Sequence, residues 1–199
     1  MVDLYSRAQG ALVGLAAGDA LGTTLEFRRR DSYMPLTDMV GGGPFKLRAG
    51  QWTDDTSMAL CLTDSLLACK AHDPHDQLQR YLRWARHGEN SVNGHCFDIG
   101  GTVNEALRTY IKTGEAYPGA EDEFSAGNGS LMRLAPVALF YNTRHGDALD
   151  CRQLVQMAAL SSMTTHRHPA AVSACQVMAL FIDHALALDG MALAPEDKQ

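Results

Sequence analysis

Paired cysteines, basic charge and long apolar runs are all scarce in this sequence. Its five cysteines are odd in number and show no Cys-x-x-Cys spacing. We therefore expect no disulfide framework, and a reducing, cytoplasmic compartment. The N-terminus lacks a basic region followed by an apolar core and a cleavage site, which predicts that there is no signal peptide. No stretch reaches about 18 uncharged apolar residues, so we expect neither a membrane span nor a membrane partner.

The charge balance excludes a general nucleic-acid binder, which usually carries a basic face. The formal net charge is −6, and the arginine run at residues 28 to 30 is too short to reverse that balance. We expect this run to lie in a solvated loop. With 46% hydrophobic residues among 199, the chain can bury a substantial core. We predict a single domain over residues 1 to 199.

The apolar pattern predicts an all-α fold, because no segment alternates convincingly with period two. Glycines at positions 10, 14, 18 and 22 lie on one face of a first helix, where another backbone could approach closely. Residues 23 to 50 are rich in glycine and proline and predict a long loop. The predicted helices cover residues 4 to 21, 53 to 71, 75 to 87, 102 to 113, 130 to 141, 151 to 163 and 169 to 188. Pro169 suits a first turn and Gly190 a stop.

Two adjacent aspartates lie between two threonines at the predicted start of the second helix, in the segment "GQWTDDTSMAL". Thr53 suits an N-cap, and Asp54 and Asp55 suit the first turn, where the helix dipole favours negative charge. A capped core helix needs only one such acid, however. The paired carboxylates are also hard oxygen ligands of the kind that Mg²⁺ and Mn²⁺ prefer. From spacing alone, both capping and metal binding remain open.

Further polar clusters fall at other predicted helix ends. "GDALGTTLE" places Asp19 and Glu26 around the end of the first helix, and "CFDIGGT" places Asp98 before a glycine pair. "SAGNGSLMR" is a glycine-rich loop that is predicted to open a helix at Ser130. Such a loop suits a phosphate group at a positive helix end, although a plain turn is equally compatible with it. The loop lacks the lysine of a P-loop, so it is not the P-loop motif that binds nucleoside triphosphates.

The segment "TTHRHP" places His166 and His168 before the last helix. With no cysteine partner and no spacing of four between them, they give only a weak zinc signal. Capping or packing explains a lone histidine there equally well. Acidic, hydroxyl and glycine residues thus gather at one set of helix ends, which is the arrangement that a pocket for a metal and a phosphate would need.

Five segments of the chain resemble motifs of the ADP-ribosylglycohydrolase family, the all-α enzymes related to dinitrogenase-reductase-activating glycohydrolase. They occur in the same order as in the family. The segments are "GALVGLAAGDALGTTLEF", "GQWTDDTSMAL", "FDIGGT", "GNGSLMRLAPVAL" and "THRHPAAVSAC", spanning residues 10 to 175. The resemblance implies a compact orthogonal bundle of helices. It also implies removal of ADP-ribose from modified protein side chains with two Mg²⁺ or Mn²⁺ ions, so that the partner would be an ADP-ribosylated protein or ADP-ribose.

The resemblance also implies roles for particular residues. Thr53, Asp54 and Asp55 match the family's first metal motif. Asp98 matches an acid near the scissile ribose and Glu26 a glutamate on a mobile substrate loop, so Asp98, Glu26 and Asp55 are the expected catalytic residues. The expected substrate-binding residues are the loop that holds the diphosphate and a histidine lining the pocket, namely Gly127, Asn128, Gly129, Ser130 and His166.

One departure from the family pattern affects the expected activity. The family's second metal motif, of the form Gly-Asp-x-Asp-Thr, does not occur after Asp183 in this sequence. Half of a two-metal site is expected to hold an ion weakly, because a hard cation takes about six oxygen ligands. The fold is expected to lack the family's C-terminal third and to expose apolar surface. We therefore expect a second copy or a complementing subunit to cover that surface.

Two functions follow from these observations. The intact metal, acid and glycine-loop segments favour an ADP-ribosyl hydrolase. The missing second metal motif favours a non-catalytic relative, which binds ADP-ribose or a partner as a regulatory or immunity-type subunit.

Overall fold

The computed structural model describes residues 3–142 and 151–187, and these residues form seven α-helices with two short 3-10 turns. No β-strand occurs in these ranges, only isolated bridges, so the all-α prediction is confirmed. The helices are α1 (Leu4–Gly22), α2 (Asp54–Cys69), α3 (Pro74–His87), α4 (Gly101–Thr113), α5 (Ala135–Phe140), α6 (Cys151–Met163) and α7 (Pro169–Ala187). The predicted stop at Gly190 lies outside the described residues.

Local chemistry fixes the ends of α3. The Asp73 side chain accepts hydrogen bonds from the backbone N–H groups of His75 and Asp76, and Pro74 occupies the first turn, where its missing N–H costs nothing. Gly88 ends the helix with φ = 70°, a conformation that glycine adopts without strain. The sequence carries each of these signals, and the predicted bounds differ from the observed ones by one residue.

The helix predicted over residues 130 to 141 begins later than expected. Residues 129–133 form turns, and α5 itself covers only Ala135–Phe140. Pro136 lies in its first turn and has no N–H to donate back to Met132, so a regular helix cannot run through this point from Ser130. The prediction that Ser130 opens a helix is therefore wrong, and a helix of six residues provides little dipole for an anion.

α2 lies between two clusters of buried side chains, as its apolar content predicts. Met58 and Cys61 pack with residues of α3 and α4, whereas Leu62 and Leu66 pack with residues of α5, α6 and α7. Leu67 remains exposed, so the burial of α2 is extensive without being complete. Because α2 packs against neighbours on both sides, its first turn holds Thr53, Asp54 and Asp55 in fixed positions.

The glycine face of α1 does not meet another backbone in the described part of the chain. A Cβ atom built on Gly10, Gly14, Gly18 or Gly22 would meet nothing within 4 Å, so the predicted close approach is not observed. Ala20 is the one residue of α1 that is buried. The exposed apolar side chains of α1 and α7 include Val13 and Phe181, and the association expected from the sequence stays a prediction.

α7 departs from the expectation that no segment could span a membrane. By length and composition alone, Pro169–Ala187 is long and apolar enough to do so. The core helix of a globular protein meets the same criterion, and Cys175 and Ala179 of α7 belong to the buried cluster around α6. Only 28% of the stretch is buried, so α7 is a helix of the bundle with one buried face and one exposed apolar face.

The segment between α1 and α2 is a long irregular loop, as predicted. Gly41, Gly42, Gly43 and Gly50 all have positive φ angles. A Cβ atom on Gly43 would lie 2.6 Å from the carbonyl oxygen of Thr23, so the loop folds tightly against the end of α1. The arginines at positions 28 to 30 are exposed, as expected.

Candidate active site

A cavity of about 680 Å³ opens where α1, α2 and α4 begin or end. Its described lining includes no lysine or arginine. Five carboxylates line it, namely Asp19, Glu26, Asp54, Asp55 and Asp98. Gly127, Asn128, Gly129 and His166 also line the cavity. The structure thus brings together all but one of the site residues named from the sequence, since Ser130 does not belong to the lining.

Asp19 belongs to α1 but caps the first turn of α2. Its carboxylate accepts hydrogen bonds from the backbone N–H groups of Thr53 (3.0 Å) and Thr56 (3.1 Å). It also accepts from both threonine hydroxyls at 2.7 Å. Four donors nearly fill the acceptor capacity of one carboxylate. Asp19 therefore stabilises the first turn of α2 and has little capacity left for another ligand.

Thr53 occupies the N-cap position as predicted, but its hydroxyl does not cap the helix. Instead the hydroxyl donates its proton to Asp19. The capping function predicted for the Thr53 side chain is therefore performed by Asp19, 34 positions away. Because the Thr53 proton points to Asp19, lone pairs of Thr53 Oγ1 are left free to accept. An oxygen atom that can only accept suits a bound cation and not an anion.

Burial and like charges dominate the electrostatics of Asp54 and Asp55. Burial, with the charges of Asp98 and Asp55 added, raises the pKa of Asp54 to about 8. Burial and the charge of Asp19 also raise the pKa of Asp55. The helix dipole opposes both shifts, but it contributes only about 0.3–1 kcal/mol in a first turn. Burial and the neighbouring charges therefore favour the protonated carboxyls, and a positive ion in the cavity would favour the ionised ones.

Asp98 and Glu26 face the same cavity from two different segments. Asp98 precedes α4 between Phe97, whose ring packs on Phe45 at 5.3 Å, and Ile99, which packs against the buried cluster around α3. Burial and the charge of Asp19 raise the pKa of Asp98. Burial, then the charges of Asp98 and Asp55, raises the pKa of Glu26. Both carboxyls therefore bind a proton more tightly than a fully solvated carboxyl does, which is the direction that suits proton transfer.

The glycine loop lies against His166. A Cβ atom on Gly129 would lie 2.8 Å from His166 Cε1, so only glycine fits there without displacing the ring. Ser130 lies behind the loop, where its Oγ accepts from Ser162 Oγ at 2.8 Å and from the thiol of Cys175. The Ser130 side chain is therefore part of the core. His168 does not share a site with His166, because it accepts from the backbone N–H of Ala170 at the start of α7.

The acidic end of the cavity fits a hard divalent cation in the chemistry of its donors. Thr53, Asp54 and Asp55 offer oxygen ligands. Burial and then the charges of Asp98 and Asp55 raise the pKa of Asp54, and no lysine or arginine in the lining offsets them. The number of ligands is small, however. In residues 3–142 and 151–187, no three aspartate, glutamate, histidine or cysteine side chains are arranged to hold a metal ion. Water or substrate would complete the coordination.

We expect the metal-free protein to lose stability as pH rises through the range in which Asp54 ionises. Its pKa in the folded state, about 8, exceeds the usual value of 3.8, so between these values the folded state binds more protons than the unfolded state. The free energy of unfolding therefore falls with rising pH. Asp54→Asn should flatten this dependence. Urea unfolding in a chelator at several pH values between 5 and 8 measures it, and identical slopes for the wild-type and variant chains would contradict the prediction.

Comparison with known proteins identifies the class. The chain belongs to the ADP-ribosylglycohydrolase family, whose model matches residues 1–198. It is 48% identical over 184 residues to an ADP-ribosylarginine hydrolase, Tri1, of Pseudomonas putida, and the match covers 92% of this chain and 47% of that protein. It is 33% identical over 198 residues to the ADP-ribosyl-[dinitrogen reductase] glycohydrolase of Rhodospirillum rubrum, with 98% and 63% covered.

A solved structure shows the same architecture. It is described as an ADP-ribosylglycohydrolase-related protein complex and has a TM-score of 0.76 and 40% identity. The match covers 94% of this chain and 58% of the solved one. The chain spans about half the length of the curated Tri1 relative that it matches.

Proposed function

We propose that this protein is a hydrolase that removes ADP-ribose from modified protein side chains, at an N- or O-glycosidic bond, with a Mg²⁺ or Mn²⁺ centre. The observation that carries the proposal is that Asp54, Asp55, Asp98 and the glycine loop all line the same cavity. Arginine is the first side chain to test, because the Pseudomonas and Serratia relatives, 48% and 44% identical, are ADP-ribosylarginine hydrolases.

The residues divide the chemistry between them. Thr53, Asp54 and Asp55 would hold the ion, which when bound would orient the ribose hydroxyls and polarise the anomeric region. Asp98 and Glu26 transfer protons: a protonated carboxyl donates to the leaving nitrogen or oxygen, and an ionised one accepts from the attacking water. Gly127 and Gly129 leave the backbone accessible to a diphosphate, because neither residue presents a side chain to the cavity.

A second function is favoured by the small number of side chains that could bind the metal ion. Thr53, Asp54 and Asp55 supply only part of the shell of one ion, and an ion held mostly by water orients its substrate loosely. On that observation the chain would bind ADP-ribose, or a partner, without hydrolysing the conjugate efficiently.

The deciding experiment measures release of ADP-ribose from ADP-ribosyl-arginine protein with Mg²⁺ or Mn²⁺. The wild-type chain is compared with Asp54→Asn/Asp55→Asn, and circular dichroism verifies that both are folded. On the ligand count we expect turnover by this chain to be slow. Robust turnover that the double substitution abolishes would establish the hydrolase and refute the non-catalytic function. Equal rates near background would overturn the hydrolase for this chain and support ADP-ribose binding alone.

A further inference from the structure

A buried arginine connects the two segments that form the glycine-loop wall of the cavity. Arg133 is 0% exposed. Its Nη1 donates to the carbonyl oxygen of Gly129 at 2.6 Å, and its Nη2 donates to Thr165 Oγ1 at 2.8 Å. The guanidinium also lies over the Tyr81 ring, 4.8 Å from its centroid. In the part of the chain that the structure describes, no carboxylate forms an ion pair with Arg133, so its hydrogen bonds and the ring carry the stabilisation of the charge.

The next contact in this chain of hydrogen bonds fixes the direction of a proton. Arg133 only donates, so Thr165 Oγ1 must accept from it. Thr165 Oγ1 lies 2.8 Å from His166 Nδ1, and among the described residues the hydroxyl has no other acceptor. If Nδ1 carried the ring proton, the Thr165 hydroxyl proton would be buried without a partner, which is unfavourable. The Thr165 hydroxyl therefore donates to Nδ1, and the ring proton resides on Nε2.

The protonated nitrogen of His166 faces the cavity. The side chain is 99% buried, being 1% exposed, and it lines the cavity beside Gly127 and Gly129. A Cβ atom on Gly127 would lie 3.8 Å from His166 Nε2. No described residue bonds to Nε2. An N–H group that lines a cavity and has no protein partner is free to donate to an acceptor on a ligand.

We propose that Arg133 and Thr165 are positioning residues that hold His166 as the neutral tautomer protonated at Nε2, so that the cavity offers a phosphate oxygen a neutral N–H donor beside the glycine loop. The phosphate assignment rests on the proposed function, whereas the tautomer does not. The five carboxylates of the lining would favour an imidazolium. Arg133 opposes it: burial and the Arg133 charge lower the pKa of His166 to about 4.

The arrangement also explains why the loop and the histidine act together. Gly129 contacts His166 directly, and Arg133 bonds to the carbonyl of the same Gly129. One guanidinium therefore ties the glycine loop to the residue that precedes His166. A loop and a donor group held together in this way offer a bound anion a preorganised site.

The test is a comparison of Thr165→Val with Thr165→Ser. Valine keeps the volume of the side chain and removes the hydroxyl, whereas serine retains the hydroxyl. Long-range ¹H–¹⁵N correlation spectra of the ¹⁵N-labelled full chain report the tautomer, with His166 assigned by its loss in His166→Gln. We expect a protonated Nε2 and an unprotonated Nδ1 in the wild-type and Thr165→Ser chains from pH 5 to 8, and a mixture of tautomers in Thr165→Val.

Calorimetric titration with ADP-ribose supplies an independent readout. Affinity should fall about 3- to 10-fold in Thr165→Val, the value of one hydrogen bond, and be retained in Thr165→Ser. An imidazolium or an Nδ1-protonated ring in the wild-type chain at pH 7 would overturn the proposal, as would a Thr165→Val spectrum unchanged from wild type. If the tautomer responds as expected while no chain binds ADP-ribose, the positioning role is supported and the phosphate assignment is overturned.

Discussion

Replacement of both Asp54 and Asp55 by asparagine is expected to lower the affinity of the chain for Mn²⁺ by at least about 100-fold. Partners that merely orient metal ligands are worth about 10- to 100-fold in metal affinity, so the loss of two charged ligands should cost at least the upper value. Asparagine retains the shape of each side chain, and Asp19 continues to cap α2 in the variant. The effect should therefore come from lost charge and not from lost structure.

The matched control for this prediction is Asp31→Asn/Glu115→Gln. It changes the net charge by the same amount at two exposed positions that do not line the cavity. Mn²⁺ titration followed by electron paramagnetic resonance measures free and bound ion directly, without reliance on turnover. Equal affinities for the wild-type chain and Asp54→Asn/Asp55→Asn would remove the metal role from this acid pair, as would a wild-type chain that binds no Mn²⁺.

Substitution of Gly129 should weaken ADP-ribose binding in proportion to the size of the new side chain, whereas alanine two positions earlier should not. The Cβ atom of Gly129→Ala would lie 2.8 Å from His166 Cε1 and 3.3 Å from Val103 Cγ2. Overpacking of this kind costs about 1–3 kcal/mol, which corresponds to about a 10- to 100-fold loss of affinity if the histidine is displaced. Gly129→Val should eliminate measurable binding. At Gly127 the nearest atom is 3.8 Å away, an ordinary contact, and Gly127→Ala should bind within about threefold of wild type.

Calorimetry with ADP-ribose tests this pair of variants, and thermal unfolding separates a lost site from a lost fold. A folded Gly129→Val chain with wild-type affinity would exclude the loop as part of the binding site. A Gly127→Ala chain that loses binding as completely as Gly129→Val would show that the contact with His166 is not what requires glycine.

Helix positions could be predicted from sequence wherever the signals at their ends are local. Asp73, Pro74 and Gly88 define α3 within one short segment, and α6 begins and ends at the predicted residues. The helix predicted from Ser130 begins instead at Ala135, because Pro136 fits only a first turn. The glycines of α1 predict a packing surface, yet Gly18 and Gly22 line the cavity.

The site was predictable only in its motifs and not in the contacts between them. The positions of Asp54, Asp55 and Asp98 at helix starts are a local pattern, whereas their expected roles come from the resemblance to the family. Asp19 was noted near the end of α1, but its bonds to Thr53 and Thr56 span 34 and 37 positions. Arg133 stands within the quoted "GNGSLMR" segment, and its bond to Thr165 spans 32 positions. Hydrogen bonds between residues so far apart leave no repeating pattern in the sequence, so only the folded structure reveals them.

The attachment of α1 to α2 through Asp19 links the occupancy of the cavity to the local unfolding of α1. α1 buries only Ala20, so little apolar contact holds it in place, and four hydrogen bonds converge on its single carboxylate. Detachment of α1 would leave the first N–H groups of α2 without partners and free the Thr53 hydroxyl to rotate. A cation that needs the ordered hydroxyl would bind only the attached state and stabilise it by mass action. A bound ion would then lower the frequency with which α1 detaches from α2.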